Sequence, residues 1–379
     1  MEKIVIGLSG GVDSAVAARL LQREGCEVIG ATVLTGFGPS VEPEARAVAA
    51  RLGIEFRPVD VSARFRREVA ERFAQEYLKG RTPNPCVLCN PAVKWEALFE
   101  VADSVGADRV ATGHYGEIAR LANGRFAVAK APVKDQSYVL WGLSQAQLAR
   151  TRTVLSGLTK EEVRRIAREE GLGVESKPDS QEICFVPDGD YARFVEDFTG
   201  VRSVPGSFVD PQGRVLGTHR GLIHYTVGQR KGLGLAFGEP RFVTELRPAT
   251  NEVVLGLNED CFARGLIAEG LNWQALGEEE LRESGEAASA DASAAGLASD
   301  ASAAASAADL ASAAAPGLRL LGKIRYAHRE EPCTLRLLPD GRVLCLFDEP
   351  QRAITPGQSV VWYRDGLVAG GGVIAEVVK

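Results

Sequence analysis

The sequence lacks any apolar run approaching the ~20 residues needed to span a bilayer, so no membrane helix is expected. Its start, Met1-Glu2-Lys3, leads straight into apolar Ile4–Leu8, without the charged and then long apolar pattern of a secretory signal. Histidine is scarce, four in 379 residues, and His219, His224 and His328 show no metal-ligand spacing. The seven cysteines, an odd number, argue against a disulfide scaffold and place the chain in reducing cytoplasm. There is no excess of positive charge: 44 Lys and Arg face 50 Asp and Glu, for a net charge of −6. As an average that weighs against a nucleic-acid partner, although local patches matter more than the sum.

What is present is ordinary globular composition, 45% hydrophobic and 25% charged, in a chain long enough for two or three domains. Residues 3 to 113 alternate strand and helix. Strands are expected at Ile4–Leu8, Val28–Leu34, Ile54–Val59 and Arg109–Thr112, and helices at Ser14–Glu24, Pro43–Leu52, Ala63–Lys79 and Pro91–Val105. Gly25, Gly53, Gly80 and Gly106 follow those helices as C′ residues. This alternation predicts an α/β fold with a doubly wound parallel sheet, whose ligands sit at the carboxyl ends of the strands. Asn123-Gly124 predicts a hairpin, Thr159–Glu162 a capping box opening a helix to Glu170, and Asp190–Phe198 a short helix. Beyond Ser203 come short apolar runs and many glycines. Clear alternation from Leu318 to Val378 then predicts a small β-barrel or sandwich. The expected domains are 1–200, a central β-rich 201–265, and a barrel at 266–379. The last carries an insertion, Glu286–Ala315, of Ala, Ser, Asp and Gly with no apolar stripe to dock it.

Two stretches carry chemistry. The first is Ser9-Gly10-Gly11-Val12-Asp13-Ser14, between a strand and a helix. Such a turn aims backbone N–H groups and a positive helix end at an anion, and its glycines admit a phosphate without a Cβ in the way. It is neither the Walker pattern, for it has no lysine, nor the dinucleotide fingerprint. Asp13 would repel phosphate unless a cation such as magnesium lies between them. The second stretch is Gly80-Arg81-Thr82-Pro83-Asn84-Pro85-Cys86-Val87-Leu88-Cys89-Asn90, read as a proline-stiffened loop. A Cys-x-x-Cys pair there is compatible with a redox pair, half a metal site, or a nucleophile and its neighbour. Cys89, just ahead of the helix expected from Pro91, would have its pKa lowered by the helix dipole. Cys184 lies in a third, polar loop.

The first string resembles the pyrophosphate loop of the N-type ATP pyrophosphatases. With Gly80–Asn90, Ala111–Tyr115, Lys134–Tyr138, Ser180–Phe185 and Tyr225–Gly234 in order, the chain resembles the tRNA-specific 2-thiouridylases over almost its whole length. The resemblance implies ATP held by Gly7, Leu8, Ser9, Gly10, Gly11, Val12, Asp13, Ser14, Val33 and Gly113. It implies catalysis by Cys89 and Cys184, the latter as a persulfide loaded by an upstream sulfur-relay protein or cysteine desulfurase. The two can also pair as a disulfide. It implies contact with tRNA through Asn84, Pro85, Cys86, Lys134, Asp135, Gln136, Arg325 and Tyr326. ATP would adenylate the C2 oxygen of the wobble uridine, sulfur would replace it, and AMP and pyrophosphate would be released. Where this chain has Cys86, some relatives have Asp. Cys86, Cys89 and Cys184 would permit a [4Fe–4S] cluster with one open iron, an alternative ranked behind the persulfide route. An amide-forming ligase, or an RNA- and ATP-binding protein without catalysis, are the rival functions.

Overall fold

The structure, a computed structural model, describes residues 1–178, 183–283 and 317–379. The expected insertion Glu286–Ala315 and the stretch 179–182 of the third cysteine loop lie outside the described residues. The chain divides into two compact units. The first comprises Met1–Arg72, Pro85–Asp190 and Asp365–Ala369, and the second Phe73–Asn84, Tyr191–Arg364 and Gly370–Lys379.

The first unit is built on five parallel strands, β1 (Lys3–Gly7), β2 (Glu27–Leu34), β3 (Glu55–Asp60), β4 (Arg109–Ala111) and, beyond β5 (Glu117–Arg120) and β6 (Phe126–Ala129), β7 (Thr151–Arg152). Their order is β3-β2-β1-β4-β7. Every pairing is parallel, with Ile4 opposite Val28 on one side and Arg109 on the other. Side chains alternate across a strand, and β1 shows it. Ile4 and Ile6 join the core formed with α1 (Val12–Arg23), α2 (Glu42–Leu52) and the later helix Lys160–Glu169. Gly7 faces the opposite side, where an added Cβ would touch Leu98 of the helix Glu96–Val105 at 3.4 Å. With helices on both faces the central strands β1 and β2 are buried, which explains their near-continuous apolar sequence, while β3 at the sheet edge is largely exposed and polar. The doubly wound sheet expected from the sequence is present. Its strand boundaries differ by a residue or two, and the two-residue β7 had no pattern by which to be seen.

The helix expected from Pro91 begins earlier. Pro85–Cys89 is helical, Asn90–Trp95 is π-helical, and Glu96–Val105 is α-helical. Pro85 suits a first helical position, where a missing N–H costs nothing. Pro91 has no N–H to donate and crowds the preceding turn, and the widened π turn accommodates it. The loop read as Gly80–Asn90 therefore shrinks to its first few residues.

The second unit contains two sheets. β8 (Gly206–Val209), β9 (Val215–His219), β10 (Phe242–Arg247) and β11 (Glu252–Gly256) form one, in the order β10-β11-β8-β9. β12 (Phe262–Trp273), β13 (Leu318–Lys323), β14 (Glu331–Leu337), β15 (Val343–Arg352), β16 (Ser359–Arg364) and β17 (Leu367–Val378) form the other. They pair in the order β12-β15-β14-β13-β16-β17, and β12 pairs back with β17 to close the barrel. Trp273 and Trp362 stack with ring centroids 5.3 Å apart. Arg81 and Thr82 are anchored in this unit. Arg81 donates to Glu269 at 3.0 Å, Thr82 N–H donates to the Pro356 carbonyl at 2.9 Å, and Gln358 donates to the Thr82 carbonyl at 2.7 Å.

Ile6 is fully buried at the centre of the parallel sheet. Ile6→Ala is expected to destabilise the chain by about 2–5 kcal/mol, seen in urea unfolding as a lower midpoint with an unchanged slope.

Candidate functional site

Chain order runs from β1 outward through β2 to β3, while β4 lies on the other side of β1. The crevice where strand order reverses is the expected ligand site of such a sheet. It lies at the carboxyl ends of β1 and β4, where Ser9–Ser14 and Gly113 are found. They are in contact: a Cβ on Gly113 would fall 2.6 Å from the Ser14 nitrogen and 2.8 Å from the Asp13 carbonyl carbon. Only glycine permits that approach.

The loop is braced by its own serines. The Ser9 N–H donates to Ser14 Oγ at 3.2 Å, the two hydroxyls lie 3.2 Å apart, and Ser14 donates to the Gly11 carbonyl at 3.2 Å. Gly10 has φ +68°, and a Cβ there would lie 2.6 Å from Glu44 Cβ. Gly11 is the N-cap of α1 with φ −94° and ψ 164°, and no side chain caps the helix. The first-turn N–H groups are thus left uncapped by side chains, as an anion site needs. Val33 lies in β2, the neighbouring strand.

Asp13 is not poised for a metal. Lys160 Nζ donates to its two carboxylate oxygens at 2.8 and 2.9 Å, Tyr115 Oη donates to Oδ1 at 2.7 Å, and Lys134 Nζ stands 3.7 Å from Oδ2. Magnesium was the cation expected beside Asp13; lysine ammoniums hold that position. Lys177 adds a third lysine, donating to the Gly10 carbonyl at 3.1 Å. The loop contains no lysine, but distant segments deliver three to it. None was found as an ATP-loop residue from the sequence. One signal existed: Lys160 is the first residue of its helix, next to the N-cap Thr159, where the helix dipole disfavours a cation.

Lys134, Asp135 and Gln136, read as tRNA contacts, have inward-facing bonds. Lys134 lies over the Tyr115 ring at 4.8 Å. Asp135 accepts from the Ser137 N–H at 3.0 Å and the Ser137 hydroxyl at 2.9 Å. Gln136 Oε1 accepts from the Tyr115 N–H at 3.0 Å. Together they fix Tyr115, and through it Asp13. In the second unit, Arg325 donates to the Arg352 carbonyl at 3.0 Å and lines a cavity of about 350 Å³ with Thr82, Thr226, Gly228 and Gln358. Tyr326 is 43% exposed, with Lys323 5.8 Å from its ring centroid.

Cys86, Cys89 and Cys184 form one electrostatic neighbourhood in the first unit. Cys86 and Cys184 each act on Cys89, Cys86 acts on Cys184, and Lys94 acts on all three. None of the three is in a disulfide. Cys86 and Cys89 lie at the beginning and end of Pro85–Cys89. Lys94, on the π-helical turn, is oriented by donating to Asn90 Oδ1 at 3.0 Å, and Asn90 in turn donates to the Val139 carbonyl at 2.8 Å. Cys184 is set by Gly38: a Cβ there, at φ +67°, would fall 2.5 Å from the Cys184 carbonyl oxygen. The next residue, Phe185, packs edge-on against Phe65 at 5.4 Å.

The thiols titrate opposite to the expectation for Cys89. Burial pushes Cys89 up to about 12, with Lys94 drawing it down and the two neighbouring cysteines adding to the rise. Burial raises Cys86 and Cys184 as well. Cys86 and Cys184 are nonetheless exposed and Cys89 half-buried as residues. The helix dipole offers Cys89 less help than expected, because helical structure already begins at Pro85 and runs through Cys89 into Asn90–Trp95, so Cys89 does not stand ahead of a helix start. His114 is lowered to about 3 by burial and by Lys94, so its imidazole is neutral at physiological pH. Among the described residues no group of three or more His, Cys, Asp or Glu could hold a metal ion. The three cysteines thus do not form a metal-holding group. No helix among the described residues is long and apolar enough to cross a membrane.

A parallel sheet with an anion loop at its switch point, joined to a central β domain and a closed barrel, defines a multidomain protein with a nucleotide-type first domain. Family models match its parts in order: a tRNA methyl transferase HUP domain over residues 2–188, a tRNA methyl transferase PRC-barrel domain over 192–257, and an aminomethyltransferase beta-barrel domain over 304–374. The tRNA-specific 2-thiouridylase MnmA of Lachnoclostridium phytofermentans is 46% identical, over 99% of this chain and all of that protein. Those of Clostridioides difficile and Carboxydothermus hydrogenoformans are 40% and 41% identical, each over 99% of this chain and 98% of theirs. The chain belongs to the tRNA-specific 2-thiouridylase family.

Two outcomes test the cysteine geometry. Iodoacetamide labelling of Cys89, followed by mass spectrometry, should accelerate about tenfold per pH unit through pH 10 without a plateau, because only thiolate reacts. A plateau below pH 8 would contradict the raised pKa. Gly38→Ala should displace Cys184, changing its labelling rate while thermal stability falls by about 1–3 kcal/mol or less.

Proposed function

We propose that this chain is an ATP-dependent tRNA-uridine 2-sulfurtransferase. Ser9–Ser14, with Gly7, Leu8, Val33 and Gly113, holds ATP. The C2 carbonyl of uridine is a poor electrophile without a leaving group, and attack of its oxygen on the α-phosphate supplies one, releasing pyrophosphate. Cys184 carries the incoming sulfur as a persulfide, delivered by an upstream relay protein. The terminal sulfur of that persulfide attacks C2 and AMP departs, leaving the base joined to Cys184 through a disulfide. Cys89 then attacks the Cys184 sulfur as thiolate. The base leaves as 2-thiouridine and a Cys89–Cys184 disulfide remains, which an external thiol reduces before the next turnover.

The observation that carries this reading is the convergence of Cys89, Cys184 and Lys94 in the unit that also holds the anion loop. The family's activity accounts for a sulfur site and a phosphate site in one unit; an amide-forming ligase needs only the second. Lys94 supplies positive charge where thiolate must form, offsetting part of the burial cost. The persulfide route is favoured over a cluster by the lack of a metal-holding group among the described residues. Asn84, Pro85 and Cys86 are assigned to the target base, which must leave the stack to react. Lys134, Asp135, Gln136, Arg325 and Tyr326 are assigned to the tRNA around it, and the catalytic chemistry to residues 1–200.

The chain incubated with tRNA, ATP and a persulfide donor should yield 2-thiouridine by nucleoside mass spectrometry, with AMP and pyrophosphate in equal amounts. Cys89→Ser and Cys184→Ser should each abolish the sulfur gain, while AMP release persists at reduced rate. Unchanged AMP production with no sulfur in any nucleoside would point to a ligase, and no AMP at all to a binding protein.

A further inference from the structure

Asn90 directly follows Cys89 and is 2% exposed, a buried amide at the start of the π-helical turn. Both ends of that amide are used. Nδ2 donates to the Val139 carbonyl at 2.8 Å, and Oδ1 accepts from Lys94 Nζ at 3.0 Å. A carbonyl only accepts and an ammonium only donates, so a single orientation of the amide satisfies both. The rest of the turn is pinned as well. Gln147 Nε2 donates to the Pro91 carbonyl at 3.0 Å and to Glu96 Oε1 at 2.8 Å.

Lys94 differs from other lysines of the first unit in its partner. Lys3, Lys134, Lys160 and Lys177 each pair with a carboxylate. Among the described residues no carboxylate pairs with Lys94, and its acceptor is the neutral amide of Asn90. A carboxylate at that distance would cancel most of the ammonium's field, whereas an amide fixes the charge and leaves it in force. Cys86, Cys89 and Cys184 all feel it. The other titratable groups acting on Cys89 are Cys184 and Cys86, and both oppose its ionisation. His114 also feels Lys94 but is itself neutral.

We propose that Lys94 is the standing counter-charge of the sulfur site, and that Asn90 is the positioning residue that holds it there unneutralised. The inference rests on the reading that Cys89 reacts as thiolate, but not on the identity of the acceptor. An aspartate at position 90 would be nearly the same size, yet it would convert a charge directed at sulfur into an ion pair. The same amide ties Lys94 to the backbone of Cys89's own neighbour, so ammonium and thiol keep a fixed relation.

The test is iodoacetamide labelling of Cys89 at pH 8 in the full chain, without tRNA or ATP, read by mass spectrometry with Cys26 as internal reference. Below its pKa a thiol reacts in proportion to its thiolate fraction, so one pKa unit is about tenfold in rate. Lys94→Gln should slow Cys89 by about 3- to 30-fold and leave Cys26 within about twofold, while Lys94→Arg, which keeps the charge, should stay within about threefold of wild type. Asn90→Ala should slow Cys89 by a smaller factor and add nothing in the Lys94→Gln background, because the two act as a unit. In sulfur transfer it should lower kcat and leave KM for tRNA within about twofold. Should Asn90→Ala label Cys26 faster, a sign of opening, Asn90→Asp takes its place and must slow Cys89 at least as much as Lys94→Gln. An unchanged Cys89 rate in Lys94→Gln, or equal slowing of Cys26, would overturn the proposal. Multiplying effects of Asn90→Ala and Lys94→Gln would remove Asn90 from it. If labelling responds as expected but the wild-type chain adds no sulfur to tRNA, the thiolation reading falls and this one stands.

Discussion

The parallel pairing of β1 between β2 and β4 is the constraint on which the first unit depends. Parallel strands cannot be joined by tight turns, so each must be followed by a long crossover, and helices cover both faces. Because the chain leaves β1 in one direction and β4 lies on the other, the loops after these two strands part and leave a crevice. Ser9–Ser14 and Gly113 meet there through backbone contact. The buried apolar strand and the glycine-rich loop that follows it are thus consequences of one topology.

Into that crevice the protein brings charge from elsewhere. Lys134, Lys160 and Lys177 belong to three separate segments, and each bonds or pairs with the loop. Positive charge supplied this way depends on tertiary structure, so the unfolded chain has no phosphate site to speak of. The sulfur side is organised differently. Desolvation raises the pKa values of Cys86, Cys89 and Cys184, and Lys94 opposes that rise. The resting thiols are protonated, and protonated thiols are poor targets for oxidants and electrophiles.

Legibility followed the range of the interactions. The alternation of strand and helix, the glycine caps and the barrel's period-two pattern are local signals, and the elements they announced are present. The glycine-rich loop was legible because its chemistry lies within six neighbouring residues. The lysine and tyrosine partners of Asp13 were not legible because they lie far along the chain and no spacing connects them. Cys89 was misread for a local reason: two prolines six positions apart each signal a helix start, and Pro91 was taken where Pro85 was right. Lys134–Gln136 had the composition of a nucleic-acid contact, while its hydrogen bonds reach Tyr115 and Ser137. Lys94 and Gly38 gave no pattern, since their importance lies in what they touch.

The π-helical turn at Asn90–Trp95 has a consequence for how this site can vary. A helix advances about 100° per residue, so its faces are normally locked to one another. A π turn takes up one residue more than an α turn and thereby resets the phase. The segment bearing Cys86 and Cys89 is therefore rotated independently of Glu96–Val105, whose apolar face is committed to the sheet. Deleting a single residue there would leave that core face in register yet swing both cysteines about a quarter-turn around the axis. Catalytic aim and core packing are separable along one continuous rod.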